Sequence, residues 1–252
     1  MENIITHLKK IESSKNIKIL YACETGSRAW GFSSPDSDFD VRFIYMHKKD
    51  WYLSLAEKRD TIEVMDGDLD ITGWDFRKSL NLLKKSNAPL IERFQSPIVY
   101  YNEGAFKEDM FQLIQHYYTP VAVFYHHYCL AKKFWEELED APSFKLKSWF
   151  YLVRSLLSCK YILNSKKVPP MQIEGLMVFI EVERREELRN LIALKSTVGE
   201  KYLHSRDESL HEWILTLWKY IEALKDKPAT NGNNYNMLDE FFLKTLYGNT
   251  NN

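Results

Sequence analysis

The chain has 252 residues, of which 45% are hydrophobic and 14% aromatic, enough to bury the core of one large domain or two small ones. With 34 Lys and Arg against 35 Asp and Glu, the formal net charge of -1 excludes the overall basic excess typical of many nucleic-acid-binding proteins. The absence of a signal-peptide pattern, of an apolar run of about 20 residues and of paired cysteines leads us to expect a cytoplasmic protein that does not contact a membrane.

Short elements alternate over the first hundred residues. Apolar residues at helical spacing predict a first helix, and an apolar run rich in β-formers predicts the strand that follows it. Two further strands and an amphipathic helix come next, and a glycine turn at Gly26 can open a short helix before them. The predicted helices are 2–14 and 77–86, and the predicted strands are 17–23, 38–47 and 68–76.

Helical periodicity replaces this alternation from about residue 105 onward, with breaks at prolines. The pattern indicates an α+β fold in which a small mixed sheet, with helices on one side, precedes a helical domain. We place the boundary between residues 1–104 and 105–252. The predicted helices of the second part are 105–116, 120–140, 144–165, 173–195 and 208–226.

Two aspartates, Asp38 and Asp40, lie two residues apart on the predicted strand 38–47 and therefore point to the same face. Two carboxylates this close repel each other unless a cation lies between them, and Mg²⁺, or Mn²⁺ in its place, takes such oxygen ligands together with substrate phosphates. Gly26 would let the backbone approach a phosphate, and the Ser27 hydroxyl could bind it. The alternative is that the residues of the stretch 33–38 form a turn, in which Asp36 or Asp38 caps a loop.

A Gly-Ser pair followed by Asp-x-Asp on the next strand resembles the signature of the polymerase-β-like nucleotidyltransferase superfamily. The stretches from Cys23 to Tyr45 and from Asp70 to Tyr100 are more closely similar to a bacterial and phage family of predicted nucleotidyltransferases, some of them associated with RNA repair genes. The resemblance implies a nucleotidyltransferase domain over 1–104, a helical substrate-binding domain over 105–252, and an NTP as substrate.

The resemblance also implies a third carboxylate on a neighbouring strand, which holds the metal or accepts the proton of the attacking hydroxyl. Asp70 lies between two apolar residues, as a strand residue facing the opposite side would, and we predict that it has this role. Asp75 comes directly before a predicted helix and is expected to cap it, and Asp68 is expected in a loop.

Cationic and aromatic side chains supply further candidates. Arg28 could reach a phosphate or pair with a neighbouring aspartate, and Arg42 is expected to orient a carboxylate. Lys147, Tyr151 and Arg154 are spaced as one stripe of a helix, in a stretch from 126 to 167 with eight Lys or Arg against four Asp or Glu. We predict that this stripe binds the nucleotide or RNA, the alternative being a solvated surface.

These observations lead us to expect metal-dependent transfer of an NMP from an NTP to a hydroxyl, with release of pyrophosphate. The predicted catalytic and metal-binding residues are Asp38, Asp40 and Asp70, and the predicted phosphate- or nucleotide-binding residues are Gly26, Ser27, Arg28, Lys147, Tyr151 and Arg154. The acceptor, RNA being one candidate, and the oligomeric state stay open. The alternative is a non-catalytic nucleotide-binding module or a regulatory half of a toxin–antitoxin pair.

Overall fold

A five-stranded mixed sheet organises the first part of the chain. Its strands lie in the order β3-β4-β2-β1-β5. The neighbours β2 and β4 are parallel, and the other three pairs are antiparallel. The strands are β1 (Ile17–Glu24), β2 (Phe39–His47), β3 (Thr61–Asp66), β4 (Leu69–Asp75) and β5 (Val99–Asn102), and a separate two-stranded sheet pairs β6 (Ser143–Lys145) with β7 (Leu203–Ser205).

The computed structural model describes residues 2–225 and 234–248. The helices are α1 (Glu2–Lys15), α2 (Gly26–Trp30), α3 (Lys49–Tyr52), α4 (Phe76–Lys84), α5 (Ala88–Phe94), α6 (Phe106–Tyr117), α7 (Pro120–Leu138), α8 (Leu146–Ser165), α9 (Ile173–Leu176), α10 (Val182–Lys195), α11 (Glu208–Leu224) and α12 (Asn236–Gly248). The mixed α+β class is confirmed. Among these residues no helix is both long enough and apolar enough to cross a membrane.

One sequence expectation about the helices was wrong. The predicted helix 173–195 is divided into α9, a 3₁₀ turn over Met177–Phe179, and α10. Ile180 adopts an extended backbone and buries its side chain, which interrupts the helical hydrogen bonding. Position 226, the last of the predicted helix 208–226, lies outside the described residues.

The described residues form two compact units. The first comprises 2–26, 38–118 and 234–248, and the second comprises 27–37 and 119–225. Helix α6 therefore belongs to the first unit and the short segment 27–37 to the second, whereas the predicted division at residue 104 placed each of them in the other part. The assignment of one part to catalysis and the other to substrate binding stays a prediction.

Helices cover both faces of the five-stranded sheet, whereas the sequence analysis expected them on one side. Ile4, Leu8 and Ile11 of α1 pack against one face, in a cluster that contains Val41 and other inward residues of β2. On the other face, the ring of Phe94 from α5 stacks on Tyr21 of β1, with ring centroids 4.9 Å apart. Helix α5 was not predicted because it is only seven residues long and has Pro89 in its first turn.

The second unit is built around the packing of α7 and α8, whose facing sides are apolar. The segment 27–37 belongs to this core: the ring of Phe32 stacks on Phe150 of α8 at a centroid distance of 5.0 Å. Both rings are buried. The segment is thus held by aromatic packing in addition to the polar contacts described below.

Candidate active site

Asp40 and Asp70 lie side by side on the parallel strands β2 and β4, where they are paired in register. Alternation along each strand places them on the face opposite to Val41 and Ile71, which are fully buried. Their side chains are 29% and 31% exposed. The structure therefore brings together two of the three predicted catalytic carboxylates at a partly open position.

Arg42 lies between these two carboxylates. Its Nη2 donates to Oδ1 of Asp40 at 2.9 Å and to Oδ2 of Asp70 at 2.7 Å. Its Nη1 donates to the backbone carbonyl oxygens of Asp70, at 2.8 Å, and Val41, at 3.1 Å. The guanidinium is thus fixed by backbone as well as by carboxylate oxygens, in agreement with the expectation that Arg42 orients a carboxylate.

The other candidate aspartates occupy different environments. Asp38 is exposed and lies one residue before β2 begins. Asp75 is buried and caps α4, since its Oδ1 accepts from the backbone N–H groups of Arg77 and Lys78. Burial raises the pKa of Asp75. Asp68 is exposed in the turn between β3 and β4. These positions agree with the preference for Asp70 over Asp75 and Asp68.

The turn after β1 is bound tightly to Asp40. The backbone N–H of Thr25 donates to the Asp40 carbonyl at 2.9 Å, and the Thr25 hydroxyl donates to the same oxygen at 3.0 Å. Gly26, with a φ of +63°, lies directly against the Asp40 carboxylate: a Cβ at this position would be 2.0 Å from Oδ2. Only glycine fits both the backbone conformation and the space.

Glu24 is a buried residue of this site that the sequence analysis missed. Its Oε1 accepts from the backbone N–H of Asp40 at 2.6 Å, and its Oε2 accepts from the hydroxyl of Tyr100 on β5. Glu24 thus ties the start of β2 to the end of β1. The available signal was a charged residue directly after the five apolar or aromatic positions 19–23 of a buried strand, since a buried carboxylate there needs hydrogen-bond partners.

A second guanidinium lies on the same face of the sheet. Arg93 of α5 is 4% exposed, and its Cζ lies 3.3 Å from the ring centroid of Trp74 on β4. Burial, with the nearby positive charge of Arg42 as a smaller cause, lowers the pKa of Arg93 to about 9. The protein therefore supplies positive charge of its own on the face that carries the paired carboxylates.

In the second unit, the predicted phosphate-binding residue Ser27 begins a chain of hydrogen bonds. Its Oγ donates to Oγ of Ser37 at 3.2 Å, and Ser37 Oγ donates to Oε1 of Glu200 at 3.0 Å. The other carboxylate oxygen of Glu200 accepts from Nζ of Lys147 at 2.7 Å. Two predicted phosphate-binding residues, Ser27 and Lys147, are thus connected through a carboxylate that the sequence analysis missed.

The same segment is held by a buried lysine. Lys195 is 1% exposed, and its Nζ donates to Oγ of Ser34 at 2.7 Å. Burial lowers the pKa of Lys195. The carboxylate of Asp36 accepts from the backbone N–H of Glu200, and Gly199 allows the close approach, because a Cβ there would be 2.9 Å from Asp36 Oδ2. Separations of more than 160 residues left no sequence signal for these contacts.

The predicted stripe of α8 does not have the orientation that we expected. Arg154 is 3% exposed, donates from Nε and Nη2 to the carbonyl oxygen of Met171, and lies over the ring of Trp30 at 4.4 Å. The prediction that Arg154 lies on the polar face is therefore wrong. Helical spacing alone could not show that the guanidinium would contact a buried carbonyl oxygen, that of Met171, and the indole ring of Trp30.

Tyr151 and Arg28 are also engaged in local contacts. The ring of Tyr151 is half-buried and meets Trp30 edge-on at 4.9 Å, and it also contacts Phe134. Arg28 donates from Nη2 to the carbonyl oxygen of Ser37 at 2.6 Å, so it supports the segment 27–37. The roles of both residues in nucleotide binding stay predictions.

The donor set on the sheet partly fits a divalent metal. Carboxylate oxygens at Asp38, Asp40 and Asp70 are the ligand type that Mg²⁺ prefers. Among the residues that the structure describes, however, no group of three or more His, Cys, Asp or Glu side chains is arranged to hold a metal ion. The position between Asp40 and Asp70 holds Nη2 of Arg42. The residues therefore do not fit a metal between Asp40 and Asp70 while Arg42 holds this position, and a metal at Asp38 and Asp40 stays a prediction.

Comparisons with known proteins show to which family the chain belongs. Residues 1–244 match the model of a family described as RlaP, RNA repair pathway DNA polymerase beta family. An uncharacterized protein of Bacillus subtilis strain 168, YcgL, is 39% identical over 249 residues, which are 97% of this chain and 96% of the relative. A nucleotidyltransferase-like protein from Exiguobacterium sibiricum is 10% identical with a TM-score of 0.32, over 96% of this chain and 89% of that one. The family match spans nearly the whole chain, and the chain therefore belongs to the RlaP family, the polymerase beta family of an RNA repair pathway.

Proposed function

We propose that the protein is a metal-dependent nucleotidyltransferase that moves an NMP from an NTP to a hydroxyl acceptor and releases pyrophosphate. The observation that supports this most is the in-register pairing of Asp40 with Asp70, next to the exposed Asp38. Membership of a polymerase beta family supports the same reaction class. Because the family description names an RNA repair pathway, we propose an RNA hydroxyl as the acceptor.

In the proposed reaction, each carboxylate has a separate task. Asp38 and Asp40 would hold Mg²⁺, which when bound would offset the negative charge that builds on the phosphate oxygens. Asp70 accepts a hydrogen bond from the acceptor hydroxyl and takes its proton. The acceptor oxygen then forms a bond to the α-phosphorus, and the bond from that phosphorus to the pyrophosphate oxygen breaks.

The second unit supplies the candidate phosphate-binding groups. Lys147 carries a positive charge that already pairs with a carboxylate, that of Glu200, at 2.7 Å. Ser27 presents a hydroxyl that lies in the same hydrogen-bonded chain. We propose that the outer phosphates of the NTP take the place of the Glu200 carboxylate at Lys147, since a phosphate is a stronger acceptor with more charge.

The test is to incubate the full chain with Mg²⁺, an RNA oligonucleotide that ends in a free hydroxyl, and each NTP labelled in turn at the α- or the γ-phosphate. Nucleotidyl transfer moves the α-label to RNA and releases the γ-label in pyrophosphate, whereas phosphoryl transfer moves the γ-label to RNA and leaves the α-label in the NDP. The matched control carries Asp40→Asn with Asp70→Asn.

Transfer of the α-label by the wild type and its loss in the double variant would support the proposal. Transfer at equal rates in both would reject the assigned carboxylates. Binding of an NTP without transfer to RNA, to proteins or to small molecules of a lysate would favour the non-catalytic alternative instead.

A further inference from the structure

Arg42 occupies the place where a second cation would lie in a two-metal site. We propose that Arg42 is a resident cation that replaces one metal ion between Asp40 and Asp70, so that the chain without nucleotide binds a single divalent ion through Asp38 and Asp40. This inference rests on the proposed function, because it concerns the same carboxylates. It goes further by stating how many metal ions the protein itself holds.

The contacts of Arg42 show why a metal and the guanidinium exclude each other. Nη2 lies 2.9 Å from Oδ1 of Asp40 and 2.7 Å from Oδ2 of Asp70. A Mg²⁺ ion bridging the same two oxygens would lie about 2.0–2.1 Å from each, in the space that Nη2 fills. Ions of two-metal sites are typically about 3.5–4 Å apart and share a carboxylate, and here Asp40 is the carboxylate shared between Arg42 and the proposed metal.

Displacement of Arg42 from this position would also cost free energy. Nη1 donates to the backbone carbonyl oxygens of Asp70 and Val41, and the side chain is only 18% exposed. A metal that displaced the guanidinium would break these two charge-assisted hydrogen bonds in addition to the two with the carboxylates. The guanidinium is therefore held in place by groups for which a metal does not compete.

The charges of the site agree with a single ion. Asp38, Asp40, Asp70 and the neighbouring Glu24 carry four formal negative charges, and Arg42 and Arg93 offset two of them. One divalent ion balances the remaining two, whereas a second ion bound before nucleotide arrives would leave the site with excess positive charge. Arginine suits this role better than lysine because its planar fork reaches two carboxylates and two carbonyl oxygens at once.

The experiment measures Mn²⁺ binding to the full chain without nucleotide, from the signal of free Mn²⁺ in electron paramagnetic resonance spectra. Three proteins are compared: the wild type, Arg42→Gln, and Arg59→Gln. Arg59 pairs with Glu63 on the exposed surface of the same unit, so its variant removes one positive charge away from the site. Melting temperatures in EDTA and in Mn²⁺ are measured on the same samples.

We expect one Mn²⁺ per chain for the wild type and for Arg59→Gln. Arg42→Gln should bind a second Mn²⁺, or bind the first at least tenfold more tightly. Its melting temperature should fall in EDTA, because Asp40 and Asp70 then repel each other, and should recover in Mn²⁺ more than that of the wild type does.

Other results overturn the inference. One Mn²⁺ in both the wild type and Arg42→Gln, with affinities within threefold, would show that Arg42 only orients the carboxylates, and would leave the proposed function intact. Two Mn²⁺ in the wild type would reject the resident-cation role even if Arg42→Gln does not fold. No Mn²⁺ binding by either protein would reject this inference and the metal dependence of the proposed function together.

Discussion

Gly26 lies against Asp40 so closely that a single added carbon would collide with the carboxylate, at 2.0 Å from Oδ2. Gly26→Ala should therefore displace Asp40 and abolish Mn²⁺ binding and nucleotidyl transfer. The matched control is Gly67→Ala, because Gly67 also has a positive φ but has nothing within 4 Å of an added Cβ. Both variants should lose about 1–2 kcal/mol from backbone strain, and only Gly26→Ala should lose more than that. Denaturant unfolding and metal binding separate the two effects, and equal behaviour of the two variants would contradict the close packing.

The exposed carboxylate of Asp38 allows a test of metal binding with little effect on folding. Asp38→Asn should lower nucleotidyl transfer by on the order of a hundredfold or more, since it removes a charged ligand from the proposed metal. Asp68→Asn is the control, because Asp68 is also exposed, in the turn just before β4. Both variants should melt within about 2 °C of the wild type. A transfer rate for Asp38→Asn equal to that of Asp68→Asn would exclude Asp38 from the site.

Lys147 and Glu200 are expected to act in opposite directions on nucleotide affinity. Lys147→Gln should weaken NTP binding about tenfold to about 150-fold, the range for a lost charged hydrogen bond. Glu200→Gln should tighten binding by about two- to fivefold, because the competing ion pair is partly exposed and therefore weak. The neighbouring exposed Lys201 provides the control Lys201→Gln. Isothermal titration with an NTP measures all four proteins, and weaker binding by Glu200→Gln would mean that Glu200 positions Lys147 instead of competing for it.

Arg154 should matter for stability and not directly for nucleotide binding. Arg154→Ala removes two hydrogen bonds to the Met171 carbonyl and a cation–π contact with Trp30, and should lower the free energy of unfolding by about 2–4 kcal/mol. Lys160→Ala, on the same helix but less buried, should change it by less than about 1 kcal/mol. Denaturant unfolding followed by circular dichroism measures both. Unchanged stability in Arg154→Ala together with weaker NTP binding would restore the original prediction for this residue.

His127 makes the second unit sensitive to acid. It is 1% exposed, and burial, with the nearby charge of Arg154 as a smaller cause, lowers its pKa well below 6.5. In the unfolded chain the imidazole of His127 binds a proton near pH 6.5, whereas in the folded chain it stays neutral at that pH. The free energy of unfolding should therefore fall as the pH drops below about 6.5. The slope between pH 6.5 and 5 should be smaller in His127→Phe and unchanged in His116→Gln, an exposed control. Equal slopes in all three proteins would count against a buried neutral His127.

The sequence predicted those parts of the site that depend on local spacing. The alternation of Asp40 and Arg42 determines which face of β2 carries them, whereas Asp38 lies just before the strand, and the position of Asp75 before an amphipathic helix predicts a cap. Glu24 was missed because nothing local shows that its partners are the N–H of Asp40 and the hydroxyl of Tyr100. The prediction for Arg154 was wrong because helical spacing shows which side of α8 a residue lies on, but not which part of the protein packs against that side. The short strand β5 and helix α5 fell below the length at which periodicity is informative.

The hydrogen bonds that hold the segment 27–37 to Lys195 and Glu200 can form only late in the synthesis of the chain, because their partners are far apart in the sequence. Ser34 and Lys195 are 161 residues apart, and Ser37 and Glu200 are 163 apart. At about 5–20 residues per second, a ribosome needs about 8–32 seconds to make the intervening chain. Once β4 has been made, the strands that carry Asp40 and Asp70 can pair, while Ser34 still lacks Lys195 and Ser37 still lacks Glu200. The chain of hydrogen bonds that links Ser27 to Lys147 through Glu200 is therefore complete only when four-fifths of the protein has been translated, well after the Asp40–Asp70 pair can form.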